Sequence, residues 1–283
     1  MSKIKDTDSN SRKVGMFFTY LVLILFAILA ITPLLWLAIQ SFKTSQDYQL
    51  HKLGLPTRWF WQNYVQAWQR GHFGTYIINS VIYTSITTIC ILLLSFSSGF
   101  AFSKIPNKAT KGIYGSYVIG ILMTLQSIMI PLFIVINLVG LYDTKLGVLI
   151  PYVGIGLPMG IYLATEYMKS IPFALVESAR LDGASYWKIF TSIMIPMAAP
   201  VGTTLSILQI SSTWNEFMLI NMLTSSTSNK SLPVGIQSFA GSLSTDYGKL
   251  FASLMIGLIP MLVFYLVFRK EITKGVSAGA VKG

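Results

Sequence analysis

Residues 176–190, VESARLDGASYWKIF, place Glu177, Arg180, Asp182 and Lys188 within a dozen positions, with long uncharged runs on both sides. Two carboxylates and two cations at this spacing fit either a solvated turn or the working surface of a membrane machine. The other residues with chemical potential are few. His51 and His72 lie far apart, with no Cys or carboxylate at ligand spacing, which argues against a metal site. The single Cys90 lies inside an apolar run and supports no disulfide framework. No nucleophile–base set is evident, and no G-x-x-x-x-G-K-[ST] phosphate loop occurs, so any nucleotide energy must come from a partner.

The charged stretch carries its own start and stop signals. Pro172 fits the first position of a helix, where its missing N–H costs nothing, with Ser170 or Ile171 as cap. Residues 172–182 then make about three turns, and Gly183 stands where a left-handed C-terminal residue is expected. Ser185 can cap a second helix carrying Trp187, Ile189 and Phe190 toward the sequence IMIP. Ser178 and Ala179 leave one side of the short helix thin enough for another backbone to approach. Glu177 and Asp182 are available to cationic partners. Such a helix lies across a membrane surface rather than through it.

The elements around this stretch follow from composition. The chain has 283 residues, 53% apolar and 11% charged, with mean hydropathy +0.62. Soluble domains carry about 25% charged residues, so a soluble globule would lack a solvated coat. A bilayer-spanning helix needs about 20 apolar residues. Uncharged runs at 14–42, 71–103, 112–142, 146–165, 189–215 and 250–268 predict six spans, near 16–41, 77–102, 113–138, 147–168, 194–222 and 250–268. The chain is thus expected to be an all-α integral membrane protein: a short segment 1–15, a six-helix domain 16–268, and a tail 269–283.

Lys and Arg bias sets the orientation. Segments 1–15, 103–112, 169–193 and 269–283 hold four, three, three and four of these residues, fourteen of the chain's 21, against seven outside. That ratio puts both termini in the cytoplasm. It also accounts for much of the +11 net charge, with some attraction to anionic lipid, and nothing resembles a nucleic-acid-binding module. The first apolar run is about twice the length of a signal-peptide core and lacks a small-residue cleavage site, so it reads as an uncleaved anchor.

Between the spans, residues 43–76 hold Trp59, Trp61, Tyr64 and Trp68, which suit the headgroup belt better than sugar stacking. Residues 223–249 form a long outer loop rich in Ser, Gly and Thr that cannot build a packed core alone, and is either functional or a disordered connector. Polar groups inside spans are functional candidates by default. Asn215 and Glu216 stand out, with Gln126, Asn137 and Tyr152 weaker, each able to line a path or to hold helices together. Ser95, Ser97, Ser98 and Gly99 read as close helix packing.

The charged stretch resembles the permease subunits of bacterial ABC importers. Their signature is a Glu-Ala-Ala element, a glycine four positions after its last Ala, and then a hydrophobic–Pro pair. Here Glu177, Ala179, Asp182, Gly183 and Ala184 match, followed by Ile195 and Pro196, with Ser178 in place of the middle Ala. NSVIYT (79–84), GLYDTKLGVLIPY (140–152), WNEFML (214–219), SLPVGIQSF (231–239) and the terminal KGVSAGAVKG are similar to the carbohydrate-uptake permeases of maltose-permease type, over nearly the whole chain.

The resemblance implies the type I importer fold and a non-catalytic subunit with no cofactor of its own, ATP and Mg being bound by two partner ATPase subunits. It further implies a second, homologous permease, an extracytoplasmic sugar-binding protein, a sugar substrate and residence in the bacterial cytoplasmic membrane. The loop 169–193 would couple to the ATPase through Glu177, Ala179, Asp182, Gly183 and Ala184. The tail residues Ala278, Gly279, Ala280, Val281, Lys282 and Gly283 would lie near the ATPase interface. Leu232, Pro233 and Gln237 of the outer loop would meet the binding protein, and Asn215, Glu216, Gln126, Asn137 and Tyr152 would line the sugar path. A secondary transporter driven by an ion gradient is the alternative. It would want buried charges in mid-membrane and broken helices, and only Glu216 comes near.

Overall fold

A computed structural model describes the backbone of residues 4–105, 107–240 and 245–280 and the side chains of 15–105, 107, 109–240 and 245–270. In chain order the helices are α1 (Ile4–Gln40), α2 (Ser45–Leu50), α3 (Gln62–Arg70), α4 (Phe73–Lys104), α5 (Lys108–Gly120), α6 (Leu125–Leu138), α7 (Lys145–Lys169), α8 (Ala174–Leu181), α9 (Tyr186–Ile189), a π-helical turn (Phe190–Met194), α10 (Ile195–Met197), α11 (Ala199–Asn215), α12 (Met218–Leu223), α13 (Leu232–Gln237) and α14 (Tyr247–Ala280). Among the described residues the only bridge of β type is the isolated pair Ala240 and Thr245. Two compact units emerge, residues 1–71 with 239–258, and residues 72–238 with 259–283.

In the first unit, the span Gly15–Gln40 buries none of its most apolar window within the chain, so its Leu, Ile and Phe side chains are left for lipid or another subunit. Its end is tied down by polar contacts. Asn63 donates to the carbonyls of Ser41 and Lys43 at 2.9 and 2.8 Å, and Ser41 pairs with the Tyr64 hydroxyl at 2.6 Å. Phe42 packs against Trp59, Trp61 and Tyr64, which ties the aromatic cluster of segment 43–76 to the end of α1.

The second unit is built on α4 against α7. The buried positions of α4, among them Tyr76, Ser80, Tyr83, Thr87, Ile91, Ser95 and Gly99, recur at three- and four-residue spacing and make one stripe. Small residues let the two backbones approach, as membrane helices without a hydrophobic drive between them require. A Cβ on Gly99 would stand 3.0 Å from the Ala164 carbonyl carbon, so the packing expected of Ser95 and Gly99 is present. One apolar cluster gathers Phe100, Ala164, Met168, Ile171, Val176, Ile189, Phe190 and Met194; a second gathers Tyr83, Ile136, Val148, Tyr152, Leu219, Ile220 and Val234.

Among the described residues, four helices are long and apolar enough to cross a membrane straight: Gly15–Gln40, Phe73–Lys104, Lys145–Lys169 and Tyr247–Lys270. The crossings expected at 113–138 and 194–222 are each broken. Ala109–Gly120 meets Leu125–Leu138 at 105°, and Tyr186–Met197 meets Ala199–Asn215 at 71°, giving six spans if each bent pair counts as one. At the first break the N–H groups of Ile121, Leu122 and Met123 bond three residues back, a tightening that ends a helix, and Thr124 turns extended. At the second, Pro196 and Pro200 remove two donors. The fifth span also stops short, because Glu216 is extended after Asn215 and α12 starts afresh.

Candidate functional site

The charged stretch folds as two short helices that pack along one edge and are exposed along the other. Helix α8 begins at Ala174, two residues later than Pro172 suggested, with the Leu175 N–H bonded to the Pro172 carbonyl. Val176 is buried in the first apolar cluster with Ile171 and Ile189, and Ala179 packs against the same cluster. Glu177, Ser178, Arg180, Asp182 and Gly183 are exposed, while Ala179 and Ala184 are half-buried. So Ala179 faces its own chain, and the thin side expected of Ser178 and Ala179 is shared between solvent and core.

The stop after α8 is a Schellman motif: the Ala184 N–H reaches the Ala179 carbonyl at 2.9 Å, and the Gly183 N–H reaches that of Arg180 at 3.0 Å. Gly183 sits at φ +81°, with no atom within 4 Å of where a Cβ would point, so glycine is needed there for backbone torsion and not for space. The Arg180 guanidinium lies over the Tyr186 ring at 4.6 Å, and the Ser185 hydroxyl accepts from the Lys188 N–H at 3.3 Å, fixing the second helix as expected. Beside these charges stand large apolar side chains with no cover. Leu181 is 89% exposed and Trp187 72%. A polar rim around bare apolar groups is how a protein contact is built.

A second site lies between α7 and the broken fifth span. The Tyr152 hydroxyl donates to the Glu216 carboxylate at 2.6 Å, and the same carboxylate accepts the N–H groups of Leu219 and Ile220 at 2.7 and 3.1 Å. Glu216 therefore caps the first turn of α12. Tyr152 and Glu216 line a cavity of about 410 Å³ together with Gln209, Ser212 and Thr213. The other expected path residues are elsewhere. Asn215 is exposed and bonds back to the Ser211 carbonyl, Asn137 is exposed and bonds back to that of Phe133, and Gln126 is exposed; none of the three lines this cavity. Gln209, four residues before Thr213 and bonded to its hydroxyl at 2.8 Å, was missed because one amide in an apolar run gives no sign of which way it faces.

The loop 223–249 is pinned over its first half. The Asp143 carboxylate accepts the N–H groups of Ser225 and Ser226 at 3.0 and 3.1 Å and the Ser226 hydroxyl at 3.0 Å, while Asn229 donates to the Asp143 carbonyl at 2.5 Å. Asn79 donates to the carbonyls of Ser228 and Lys230, and the Tyr83 hydroxyl to that of Asn229. Burial pushes the Asp143 carboxyl up, but these hydrogen bonds outweigh it and hold the group below its ordinary range. Residues 225–238 are thus no loose connector, contrary to one reading of their composition. Leu232 is 1% exposed, inserted against the chain itself; Pro233 is half-buried and Gln237 exposed. Asp143 and Asn79 lie in segments the sequence singled out, GLYDTKLG and NSVIYT, but their partners are more than 80 residues away. Of the tail residues, Ala278, Gly279 and Ala280 continue the backbone of α14, while Val281, Lys282 and Gly283 lie outside the described residues.

Comparisons with known proteins agree with this architecture. Residues 106–269 match the family described as the binding-protein-dependent transport system inner membrane component. The chain is 33% identical to a probable ABC transporter permease protein of Bacillus subtilis, over 99% of this chain and 93% of that one. It is 32% identical to the trehalose/maltose transport system permease protein of Thermococcus litoralis, over 92% and 94% of the two chains. The fold is similar to a chain in the crystal structure of a bacterial ABC transporter involved in the import of the acidic polysaccharide alginate, with a TM-score of 0.77, 23% identity, and 92% and 97% of the chains covered.

Proposed function

Since the chain belongs to the family of binding-protein-dependent transport system inner membrane components, we propose that it is the permease subunit of an ATP-driven sugar importer. In this reading both termini are cytoplasmic, in the cytoplasmic membrane of a bacterium. The chain pairs with a second, homologous permease, receives sugar from an extracytoplasmic binding protein, and is driven by two ATPase subunits that hold the ATP and Mg. Relatives named for trehalose and maltose support a neutral oligosaccharide as cargo.

The observation that carries the proposal is the exposed tip formed by α8 and α9, with Leu181 and Trp187 bare among Glu177, Arg180, Asp182 and Lys188. Because Val176, Ile171, Ile189 and Phe190 root this tip in the packed end of the α4–α7 pair, force applied to it passes to the spans instead of bending a loose turn. Closure of the ATPase pair would move the tip, and the spans would rock between inward- and outward-open packings. Glu177 would bond to the ATPase, and the tail 278–283 would lie near the same interface. An ion-gradient transporter is disfavoured by the use already made of Glu216, whose carboxylate is committed to Tyr152 and to the cap of α12. The test is uptake of labelled oligosaccharide by the reconstituted complex. Disabling the partner ATPase's phosphate loop should abolish it, and ion uncouplers should leave it intact. Uptake that survives the first or dies with the second refutes the proposal.

A further inference from the structure

We propose that the hollow at the ends of α4, α5 and α7 seats the headgroup of one anionic phospholipid of the inner leaflet. The cavity has a volume of about 670 Å³ and is lined by Lys104, Lys111 and Lys169, together with Asn107, Thr110, Phe102 and Phe173. No carboxylate is among its described lining residues. Glu166, bonded to Lys169 and to the Tyr114 hydroxyl, neutralises part of one of the three charges and leaves the hollow cationic.

The place of the hollow at the limits of the candidate spans favours a lipid over a soluble anion. Three candidate spans reach their limits at its edge: one ends at Lys104, one ends at Lys169 and one begins at Ala109. Its occupant would therefore stand where acyl chains give way to headgroups. The lining holds both kinds of group that a phospholipid calls for, ammonium, amide and hydroxyl donors together with aromatic rings. A free phosphate would gain nothing from Phe102 and Phe173.

Lys104 is the least ordinary group there. It is 3% exposed, and its Nζ donates to the Ile171 carbonyl at 2.6 Å, which leaves two of its three N–H donors without an acceptor among the described residues. A buried ammonium needs a counter-charge, and a phosphodiester in the hollow supplies it. Basic pockets between spans on the cytoplasmic side are a known way to hold anionic headgroups. The inner-leaflet assignment rests on the cytoplasmic placement of residues 103–112 proposed above.

The test uses the assembled complex in nanodiscs of phosphatidylcholine with phosphatidylglycerol, read by native mass spectrometry. Wild type should retain one phosphatidylglycerol more than K111Q/K169Q, whose exposed side chains can change without loss of folding. Each basic residue near an anionic surface contributes about 1 kcal/mol, so removing two should weaken retention about 30-fold. Removing two exposed cations elsewhere, K52Q/R58Q, should change nothing. Equal retention in all three overturns the proposal. So does displacement of the lipid by soluble glycerol phosphate, which would reassign the seat to a free phosphate ester. Protection of Lys111→Cys from maleimide in pure phosphatidylcholine would show protein covering the hollow and equally overturn it. None of these readouts depends on sugar uptake, so failure of the importer reading and failure of the lipid seat are distinguishable.

Discussion

The hydroxyl of Tyr152 and the carboxylate of Glu216 lie 2.6 Å apart, joining α7 to the break after α11 across 64 residues of chain. A buried phenol and a half-buried carboxylate are each costly without a partner, and each is satisfied by the other. Tyr152→Phe should lower the melting temperature of the purified protein, at a cost of about 1–3 kcal/mol. Glu216→Ala should cost more, because it also removes the cap of α12. In the double variant the two losses should fall short of their sum. Additive losses would show that the pair does not act as a unit.

Gly183 tests the stop after α8. Alanine there gains a strained torsion of about 1–2 kcal/mol with no steric clash, so Gly183→Ala should insert and fold yet weaken coupling of hydrolysis to transport. Asparagine, which tolerates left-handed backbone, should be milder than alanine, and aspartate should add a misplaced charge. Hydrolysis measured against uptake in proteoliposomes gives the order. Glu177→Lys should uncouple in the same assay without altering thermal stability, since Glu177 is exposed.

Leu181 should be silent in the isolated subunit and decisive in the complex. Leu181→Asp removes an apolar group that is almost fully exposed, so the chain's own packing is untouched. Co-purification of the ATPase should fall at least tenfold, the loss expected when a contact worth about 1.4 kcal/mol disappears. Unchanged co-purification would move the docking surface elsewhere.

Asp143 gives the loop that follows α12 a pH dependence. Its folded carboxyl titrates below the ordinary value of about 3.9, so its bonds to Ser225, Ser226 and Asn229 contribute stability above that value and lose it as pH falls through the lower, folded one. Protease nicking of residues 224–231 should rise in that acid window in wild type. In Asp143→Asn it should already be high at neutral pH and nearly flat with acid. An acid response equal to wild type's would show that another group pins the loop.

Hydropathy made the helical class and the positions of the six apolar segments readable, because uncharged length is a property of the chain itself. The two breaks were hidden for the same reason: a run such as 112–142 reports length, not direction, and Gly120 beside Pro158 is recognisable as a packing point only once α5 and α7 are placed. In the charged stretch, Gly183 and Ser185 could be placed from sequence since their roles are local. Local signals could not assign Tyr152 as the partner of Glu216, Leu232 as a buried anchor or Asp143 as the clasp of a loop 83 residues away. Each depends on a partner that only the fold brings near.

The wide turn at Phe190–Met194 sets the azimuth of everything that precedes it. A π turn carries one residue more than an α turn, and one residue is about 100° of rotation around a helix axis. The bearing of Trp187 relative to the fifth crossing is therefore fixed by a single surplus residue. Deleting one amino acid between 190 and 194 should restore ordinary pitch and swing the tip formed by α8 and α9 by roughly a quarter turn, against the packing of Ile189 and Phe190 in the first apolar cluster.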